Sequence, residues 1–185
     1  DSVITEIRKG TAMKLSPAVE KYVLHWGEMG TRWGTNRTVA QIHALLYLSP
    51  EPLRADQIVD ALSVARSNVS TSIRELQGFG LVRMTHVLGD RRDYFESEHD
   101  VWELFRVIID QRKERELNPT LSMLRTAAEQ VDNEDDTHPV TKERIHNMLE
   151  FVETTSGWYE QISDIPTSTL RKLMKLGRKI TKLVG

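Results

Sequence analysis

Apolar residues recur along most of this chain at the three- and four-residue spacing of amphipathic helices. The first such stripe comprises Val19, Tyr22, Val23, Trp26, Met29 and Trp33. Ser16-Pro17 before it is typical of an N-cap followed by proline at the first helical position, and Gly34 ends the helix. Further helices are predicted over about residues 38–48, 54–62 and 66–77, the last closed by a left-handed glycine at Gly78 or Gly80.

The period changes from helical to alternating after Gly80. Residues 81–87 alternate as a strand does, residues 88–91 have the composition of a turn, and residues 93–97 predict the returning strand of a β-hairpin. The order of elements is therefore helix, short helix, tight turn, helix, hairpin. That is the order of a winged helix-turn-helix.

Helical spacing returns after Asp100 and continues to the last residues. The core-facing stripe predicted first is Val101, Leu104, Phe105, Ile108 and Ile109. Asn118-Pro119 is expected to restart a helix, Thr141 to cap the next one, and Pro166 to precede a last helix. The sequence predicts a mainly α fold with one small β-hairpin: a winged helix-turn-helix with N- and C-terminal helical dimerisation elements.

Three parts are expected from this order. Residues 1–35 are predicted to form an N-terminal dimerisation or linker helix, residues 36–99 the winged helix-turn-helix, and residues 100–185 a helical dimerisation and effector region. In the last helix, apolar residues at roughly heptad spacing indicate a dimer-forming helix, with intrachain packing equally compatible. These are Leu170, Leu173, Gly177, Ile180 and Val184. A membrane-surface helix is less favoured because this stripe is short and carries no aromatic residue.

Composition narrows the class of protein. The chain has 185 residues, of which 39% are hydrophobic and 28% charged, the balance of a globular protein with core material. No cysteine is present, which excludes disulfides and thiolate metal sites, and no transmembrane or signal segment is recognisable. We therefore expect a cytoplasmic protein that has no membrane partner.

The net charge of −2 conceals an uneven distribution. Acidic residues crowd at 129–136, whereas basic residues crowd at 66–74, at 91–92 and at 171–182. Because binding to nucleic acid depends on the local patch, the near-neutral total is compatible with a nucleic-acid partner.

The helix predicted from Arg66 to Gln77 has an unusual outer face. Val69, Ile73 and Leu76 recur at helical spacing and are expected to face the core. The remaining face is small, polar and cationic and comprises Arg66, Ser67, Asn68, Ser70, Thr71 and Arg74. Such a face suits a major groove, since Asn and Arg make bidentate contacts to base edges and short hydroxyls permit close approach. A merely solvated face is the alternative, although glutamate and lysine would be better helix formers there.

The predicted hairpin tip supports the same interpretation. Arg91 and Arg92 lie there, and arginine side chains in a narrow minor groove respond to its negative potential. Asp90 or Asp93 is positioned to brace one of the arginines through a bidentate pair. An ordinary charged hairpin tip is the alternative.

The stretches "VARSNVSTSIRELQGFGLV" and "LGDRRDYFESEHDVWELFR" resemble the MarR superfamily of winged-helix transcription regulators, and within it the GbsR-type branch. "LSPAVEKYVLHWGEMGTRWG" resembles the opening helix of that branch, so the resemblance covers roughly residues 15–130. It implies a homodimer that binds operator DNA, often with a small effector, and in several members the regulated genes concern choline or glycine betaine. Carried over by motif, residues 66–77 are the recognition helix and Arg91 and Arg92 the wing arginines. Ala65 departs from the family, which often has a capping serine there, and Ser67 is expected to take over part of that duty.

Aromatic residues are candidates for the effector site. Tyr22, Trp26, Trp33 and Trp102 could form a cage for a quaternary ammonium ligand through cation–π contacts, with core packing as the alternative. The six histidines show no H-x-x-x-H spacing, and no nucleophile elbow, P-loop or dinucleotide fingerprint is present. We therefore expect no catalytic residues, metal or cofactor.

The sequence predicts a DNA-binding transcriptional regulator, specifically a repressor, that binds a palindromic operator as a homodimer. Release by a small effector such as a quaternary ammonium compound is expected. The alternative is a winged-helix module for protein interaction or ligand sensing that does not bind DNA.

Overall fold

The structure is a computed structural model that describes residues 14–184, and for Lys175 and residues 177–184 it describes the helix but not the side chains. The chain divides into two compact units, of which unit 1 ends at Val107 and unit 2 begins at Ile108. The predicted three-part division by role stays a prediction, and its residues 1–13 lie outside the described part of the chain.

The described residues of unit 1, from 14 onward, contain five helices and one hairpin in the predicted order. They are α1 (Pro17–Arg32), α2 (Arg37–Leu48), α3 (Ala55–Leu62), α4 (Arg66–Gly78), β1 (Val82–Thr85), β2 (Tyr94–Ser97) and α5 (Val101–Arg112), which continues past the boundary. The strands are antiparallel and pair Val82 with Ser97 and Thr85 with Tyr94. Leu53 adds a short bridge to Phe95 on the other edge of β2, through two backbone hydrogen bonds of 2.8 and 2.9 Å. The mainly α fold with one small hairpin is confirmed.

Local signals explain where these helices begin. The Ser16 hydroxyl accepts from the Val19 N–H, with Pro17 at the first helical position, as predicted. Asn36 caps α2 through its side-chain oxygen, which accepts from the Thr38 N–H at 2.8 Å. Gly80 has a φ of 74° and is the left-handed residue that follows α4 and ends this helical segment.

The core of unit 1 is centred on α2. Seven of its residues are buried, and the innermost are Ile42, Leu45 and Leu46, each at most 1% exposed. Leu53, Ile58, Val69 and Leu76 close around them from the neighbouring elements. Because α4 contributes its apolar side to this core, it is held by packing and does not depend on its modest helix propensity.

Helices α1 and α2 cross at two glycines. A Cβ added at Gly30 would lie 2.5 Å from the Ala40 Cβ, and one at Gly27 would lie 2.6 Å from the Gln41 Cγ. These two glycines therefore permit the close packing of α1 on α2. The crossing also places Val23 in the core. The larger residues of the predicted α1 stripe lie outside this core, and Trp33 is 51% exposed.

Unit 2 is helical and differs from the sequence prediction at two joints. A π-helical turn over Lys113–Leu117 links α5 to α6 (Asn118–Asp132), so the chain does not break before Pro119. Proline lacks an N–H and its ring presses on the carbonyl four residues earlier, and a wider turn accommodates both effects. Helix α7 (Pro139–Ser163) begins before Thr141: His138 is its N-cap, and its Nδ1 accepts from the Val140 N–H at 3.2 Å.

Polar contacts connect the helices of unit 2. Arg125 pairs with Glu153 at 2.9 Å, the Lys113 ammonium pairs with Glu160 at 2.6 Å, and the Tyr159 hydroxyl donates to Asp110 at 2.6 Å. The last helix, α8, spans Thr167–Val184. Its predicted stripe residues Gly177, Ile180 and Val184 lie outside the described side chains.

The predicted core-facing stripe of α5 is only partly buried. Leu104 is buried, whereas Val101 is 58% and Phe105 is 55% exposed. Helical spacing identifies an apolar face, but a single chain does not determine what covers that face.

Candidate nucleic-acid interface

The turn between α3 and α4 is tight and left-handed. Ser63 ends α3 with a φ of 53°, and the chain re-enters a helix at Arg66 after the extended residue Ala65. No side chain caps α4, because Ala65 occupies the N-cap position. The free N–H groups at this end of α4, together with the helix dipole, favour an anion such as a DNA phosphate.

The two sides of α4 separate as the sequence predicted. Val69, Ile73 and Leu76 are at most 3% exposed. The six residues of the outer face that is predicted to contact DNA are all exposed: Arg66, Ser67, Asn68, Ser70, Thr71 and Arg74. Ser72 is buried at 4%, which sequence reasoning missed, although its spacing from Val69 and Leu76 places it on the inner side.

Ser67 does not cap the recognition helix. It lies inside α4 at the second helical position, and no side-chain cap hydrogen bond is formed at this end. That part of the sequence interpretation is wrong, because the extended residue before the helix is Ala65 and only that position presents a capping side chain. Within residues 14–184, Arg66 forms no ion pair, while the Arg74 Nε donates to the Ser70 carbonyl at 3.4 Å.

The wing is organised by one carboxylate. Asp90 accepts from the Arg92 Nε at 2.8 Å, also from the Arg92 Nη2, and from the Arg92 backbone N–H at 3.0 Å. The Tyr94 hydroxyl donates to the same carboxylate at 2.8 Å. The hydrogen bonds from the Arg92 guanidinium, followed by that from Tyr94, hold the pKa of Asp90 well below its usual range. The predicted brace between an aspartate and a wing arginine is thus formed by Asp90 and Arg92.

A second arginine connects the wing to the start of α3. The Arg54 guanidinium lies over the Tyr94 ring, 5.8 Å from its centroid, and its Nε donates to Asp56 at 2.9 Å. The Arg54 backbone N–H donates to Gln57 at 2.9 Å and closes the first turn of α3. Tyr94 and Arg54 therefore fix the base of the wing against the helix-turn-helix, a role that sequence reasoning did not assign to them.

The wing tip carries one arginine that is not engaged in this way. Arg91 is exposed and forms no ion pair within the part of the chain that the structure describes, whereas Arg92 is neutralised locally by Asp90. Leu88 beside the turn is fully exposed, and Val87 is 41% exposed. This apolar pair was not predicted from the sequence, although two aliphatic residues directly before the turn at Gly89 could have indicated it.

The predicted effector residues lie in unit 1, and the structure brings two of them together. Tyr22 and Trp26 stack with centroids 5.5 Å apart and planes 8° from parallel, which leaves no space for a ligand between the rings. Burial raises the pKa of Tyr22, and the nearby Tyr47 raises it further by electrostatic interaction. Trp33 follows the last turn of α1, and Trp102 lies in the first turn of α5. A cage formed by all four stays a prediction.

No group of three or more metal-binding side chains occurs among the described residues. Within residues 14–184, none of the helices combines the length and apolar character needed to cross a bilayer.

The comparisons with known proteins agree with this geometry. Residues 33–93 match the model of the MarR family. The HTH-type transcriptional repressor GbsR of Bacillus subtilis is 20% identical over 139 residues, which cover 74% of this chain and 77% of that protein. The crystal structure of a transcriptional regulator has the same fold, with a TM-score of 0.60 and 19% identity, over 80% of this chain and 96% of that one.

The matched residues run from the end of α1 to the wing and contain α2, α3, α4 and the Asp90–Arg92 pair. The Bacillus subtilis relative is a transcriptional repressor, and the solved structure is that of a transcriptional regulator. The winged helix-turn-helix of this chain is thus similar to the MarR family over residues 33–93.

Proposed function

We propose that this protein is a homodimeric repressor that binds a two-fold symmetric operator. The observation that carries the proposal is the exposed face of α4, which combines two arginines, an asparagine and three hydroxyls with an uncapped N-terminus. That face would enter the major groove, with Arg66 and Asn68 deepest, while Arg91 of the wing reaches the flanking minor groove. The sense of regulation follows the Bacillus subtilis relative, which is a repressor.

Pairing of two copies is supported by apolar surface that one chain leaves exposed. Val101 and Phe105 on α5 are more than half exposed, and so are Met148 and Phe151 on α7. Soluble monomers rarely expose large apolar side chains in such number. Two copies of α4 related by a two-fold axis would recognise half-sites about one helical turn of DNA apart.

The experiment begins with selection of DNA fragments from the source genome on the immobilised protein. Affinity for the selected fragment is then measured by fluorescence anisotropy at several salt concentrations. Arg74→Ala is expected to weaken specific binding by about 1–3 kcal/mol, the usual value of a lost arginine–base contact. Arg32→Ala removes the same charge from an exposed position at the end of α1 and serves as the matched control.

The proposal fails if no fragment is enriched, or if Arg74→Ala and Arg32→Ala bind the selected fragment as the unaltered protein does. In either case the winged helix would have another role, such as binding a protein.

We also propose that a small organic cation regulates the dimer through the aromatic side of α1. Because Tyr22 and Trp26 stack on each other, a quaternary ammonium group would lie on the outer face of one ring, near Tyr47. The ligand would shift the dimer only by the difference in its affinity for the two states. Titration with choline or glycine betaine is expected to change the tryptophan fluorescence, and Trp26→Leu should remove that response. Unchanged fluorescence at millimolar ligand would contradict this proposal and leave Trp26 a packing residue.

A further inference from the structure

The tip of the wing is a tight turn that presents a leucine to solvent. The Asp90 N–H donates to the Val87 carbonyl at 3.0 Å, and Gly89 between them has a φ of 86°. Leu88 keeps a negative φ, since Ser63 is the one non-glycine residue with a positive φ in the described part of the chain. These features define a type II turn in which Leu88 occupies the first central position. Its side chain is fully exposed and takes no part in the core.

Hydrogen bonds on the C-terminal side of the turn hold it in place. The Asp90 carboxylate accepts from the Arg92 backbone N–H at 3.0 Å and from the Tyr94 hydroxyl at 2.8 Å. Because Tyr94 belongs to β2, these bonds connect the turn to the strand that follows it. Leu88 is therefore carried by an ordered support, and little backbone entropy would be lost when its side chain entered a narrow site.

Formation of the turn does not require leucine at this position. The residue that a type II turn requires is the glycine at its second central position, and proline is common at the first. Single exposed apolar residues are ordinary on protein surfaces. Leu88 differs from those because it stands at the apex of an ordered turn and because its neighbour Val87 is also exposed. The tip therefore presents apolar surface at the point of the wing that extends furthest from the core.

The charges around this apex favour a polyanionic partner. Within residues 86–93 the exposed charged side chains are Arg91, Arg92 and Asp93. Two arginines against one carboxylate leave the tip cationic, and Asp90 is mostly buried against Arg92 and Tyr94. Arg91 forms no ion pair among the described residues. An apolar side chain beside a free arginine suits the minor groove of DNA, where the negative potential attracts the arginine.

We propose that Leu88 is an apolar wedge that enters the minor groove and partly unstacks one base step beside each half-site. Leucine is among the side chains that proteins insert between base steps, and such insertion bends the duplex toward the major groove by about 20–90°. This inference rests on the proposed DNA-binding function and gives the wing a second role, which is deformation of the DNA. Arg91, three residues further on, would hold the groove next to the opened step.

The wedge would also contribute to the choice of operator. Pyrimidine–purine steps such as TA are flexible and are unstacked more easily than other steps. Leu88 would therefore favour operators with such a step under the wing, at a position where no side chain forms a hydrogen bond to a base.

The test uses the whole chain and the operator fragment selected as described above. Adenines of the flanking segment are replaced one at a time by the fluorescent analogue 2-aminopurine, whose emission rises when its base step opens. Energy transfer between dyes at the two ends of the duplex reports the bend. The unaltered protein is expected to raise the emission at one flanking step on each side and to shorten the end-to-end distance. Leu88→Ala should abolish the rise in emission and reduce the bend, whereas Leu88→Met, which keeps an apolar side chain of similar reach, should retain both.

Three controls separate the wedge from folding and from charge. Leu88→Ala should leave the urea unfolding midpoint unchanged, because the side chain is fully exposed. Met84→Ala removes an exposed apolar side chain from β1 of the same hairpin and should keep both DNA signals. Replacing TA by AA at the opened step should weaken binding of the unaltered protein several-fold and binding of Leu88→Ala much less.

The possible outcomes distinguish the wedge from the proposed function. If the operator is bound without a rise in emission at any flanking step, or if Leu88→Ala opens and bends the DNA as the unaltered protein does, the wedge is overturned and recognition by α4 stands. If Leu88→Ala leaves the DNA signals unchanged but alters the sedimentation of the DNA-free protein, the tip contacts a second copy, which also overturns the wedge. If the unaltered protein binds no DNA fragment, the proposed function fails and the wedge with it.

Discussion

Asp90 and Arg92 form a closed pair at the wing, in which one carboxylate accepts both from the guanidinium and from the backbone N–H of the same arginine. The side chain of Arg92 remains 60% exposed, whereas that of Asp90 is only 19% exposed. The carboxylate therefore orients the arginine and offsets its charge. Arg91, one residue earlier, is exposed and forms no ion pair within the described residues, so it is the wing arginine that we propose contacts DNA.

Replacing Asp90 by asparagine is expected to raise the affinity for random DNA and to lower the preference for the operator. Asp90→Asn removes a negative charge near the DNA and releases Arg92, so affinity for random duplex DNA at low salt is expected to rise. The wing loses its internal support, and the ratio of specific to non-specific affinity is expected to fall. Anisotropy titrations with the selected operator and with a scrambled duplex measure both quantities. An unchanged ratio would show that Asp90 does not position the wing.

Arg91→Ala should act mainly through charge. Loss of one phosphate contact in each subunit is expected to lower the slope of log affinity against log salt by about one unit per lost contact. Arg92→Ala is the comparison, because its charge is already offset by Asp90 and its removal should change the slope less. Equal slopes for the two variants would contradict the division of roles between neighbouring arginines.

Gly30→Ala should destabilise unit 1 because the new methyl group would lie 2.5 Å from the Ala40 Cβ. Over-packing of this kind typically costs about 1–3 kcal/mol in the free energy of unfolding. Ala40→Gly in the same chain is expected to recover part of that loss, which a double-mutant cycle in urea would measure.

Gly157→Ala is the control for this experiment, since nothing lies within 4 Å of its added Cβ and it occupies the interior of α7. Alanine there should be neutral or should stabilise the helix by up to about 1 kcal/mol. If Gly30→Ala were as well tolerated as Gly157→Ala, the close crossing of α1 and α2 would be wrong.

His43 should make the protein sensitive to acid. Its side chain is buried in α2, its Nε2 has no hydrogen-bond partner among the described residues, and burial lowers the pKa of His43 to about 4. The unfolded chain, with a pKa near 6.5, binds the proton more readily than the folded one. Stability is therefore full above about pH 7 and is lost as pH falls from 6.5 towards 4, by about 3 kcal/mol in total.

Urea unfolding at several pH values would measure this loss. In the unaltered protein, the free energy of unfolding is expected to fall by about 3 kcal/mol between neutral and acid pH because of His43. His43→Leu should remove this loss, whatever its effect on stability at neutral pH. Parallel curves for the unaltered protein and His43→Leu would exclude His43 as the group responsible.

The helix-turn-helix was predictable because its signals are local. The spacing of Val69, Ile73 and Leu76 determines which side of α4 is buried, and Gly80 determines where the segment ends. The Asp90–Arg92 pair was also predictable, because residues two apart at a tight turn are close in any wing.

Other features depend on contacts that spacing does not specify. Thr141 resembles a cap, but Pro139 and the His138 ring start α7 earlier. Arg54 reaches Tyr94 only because the bridge between Leu53 and Phe95 brings distant segments together. Phe105 has core spacing, yet it is 55% exposed, because helical spacing identifies an apolar face without specifying which surface covers it.

The salt dependence of binding to the selected operator is the decisive measurement of DNA recognition by α4. We predict a homodimer whose log affinity falls linearly with log salt, with a slope of several units, and whose preference for the operator is reduced by Arg74→Ala but kept by Arg32→Ala. Protection of two half-sites about one helical turn apart should accompany it. Affinity that is independent of salt, or equal for operator and scrambled duplex, would contradict recognition of DNA by the exposed face of α4.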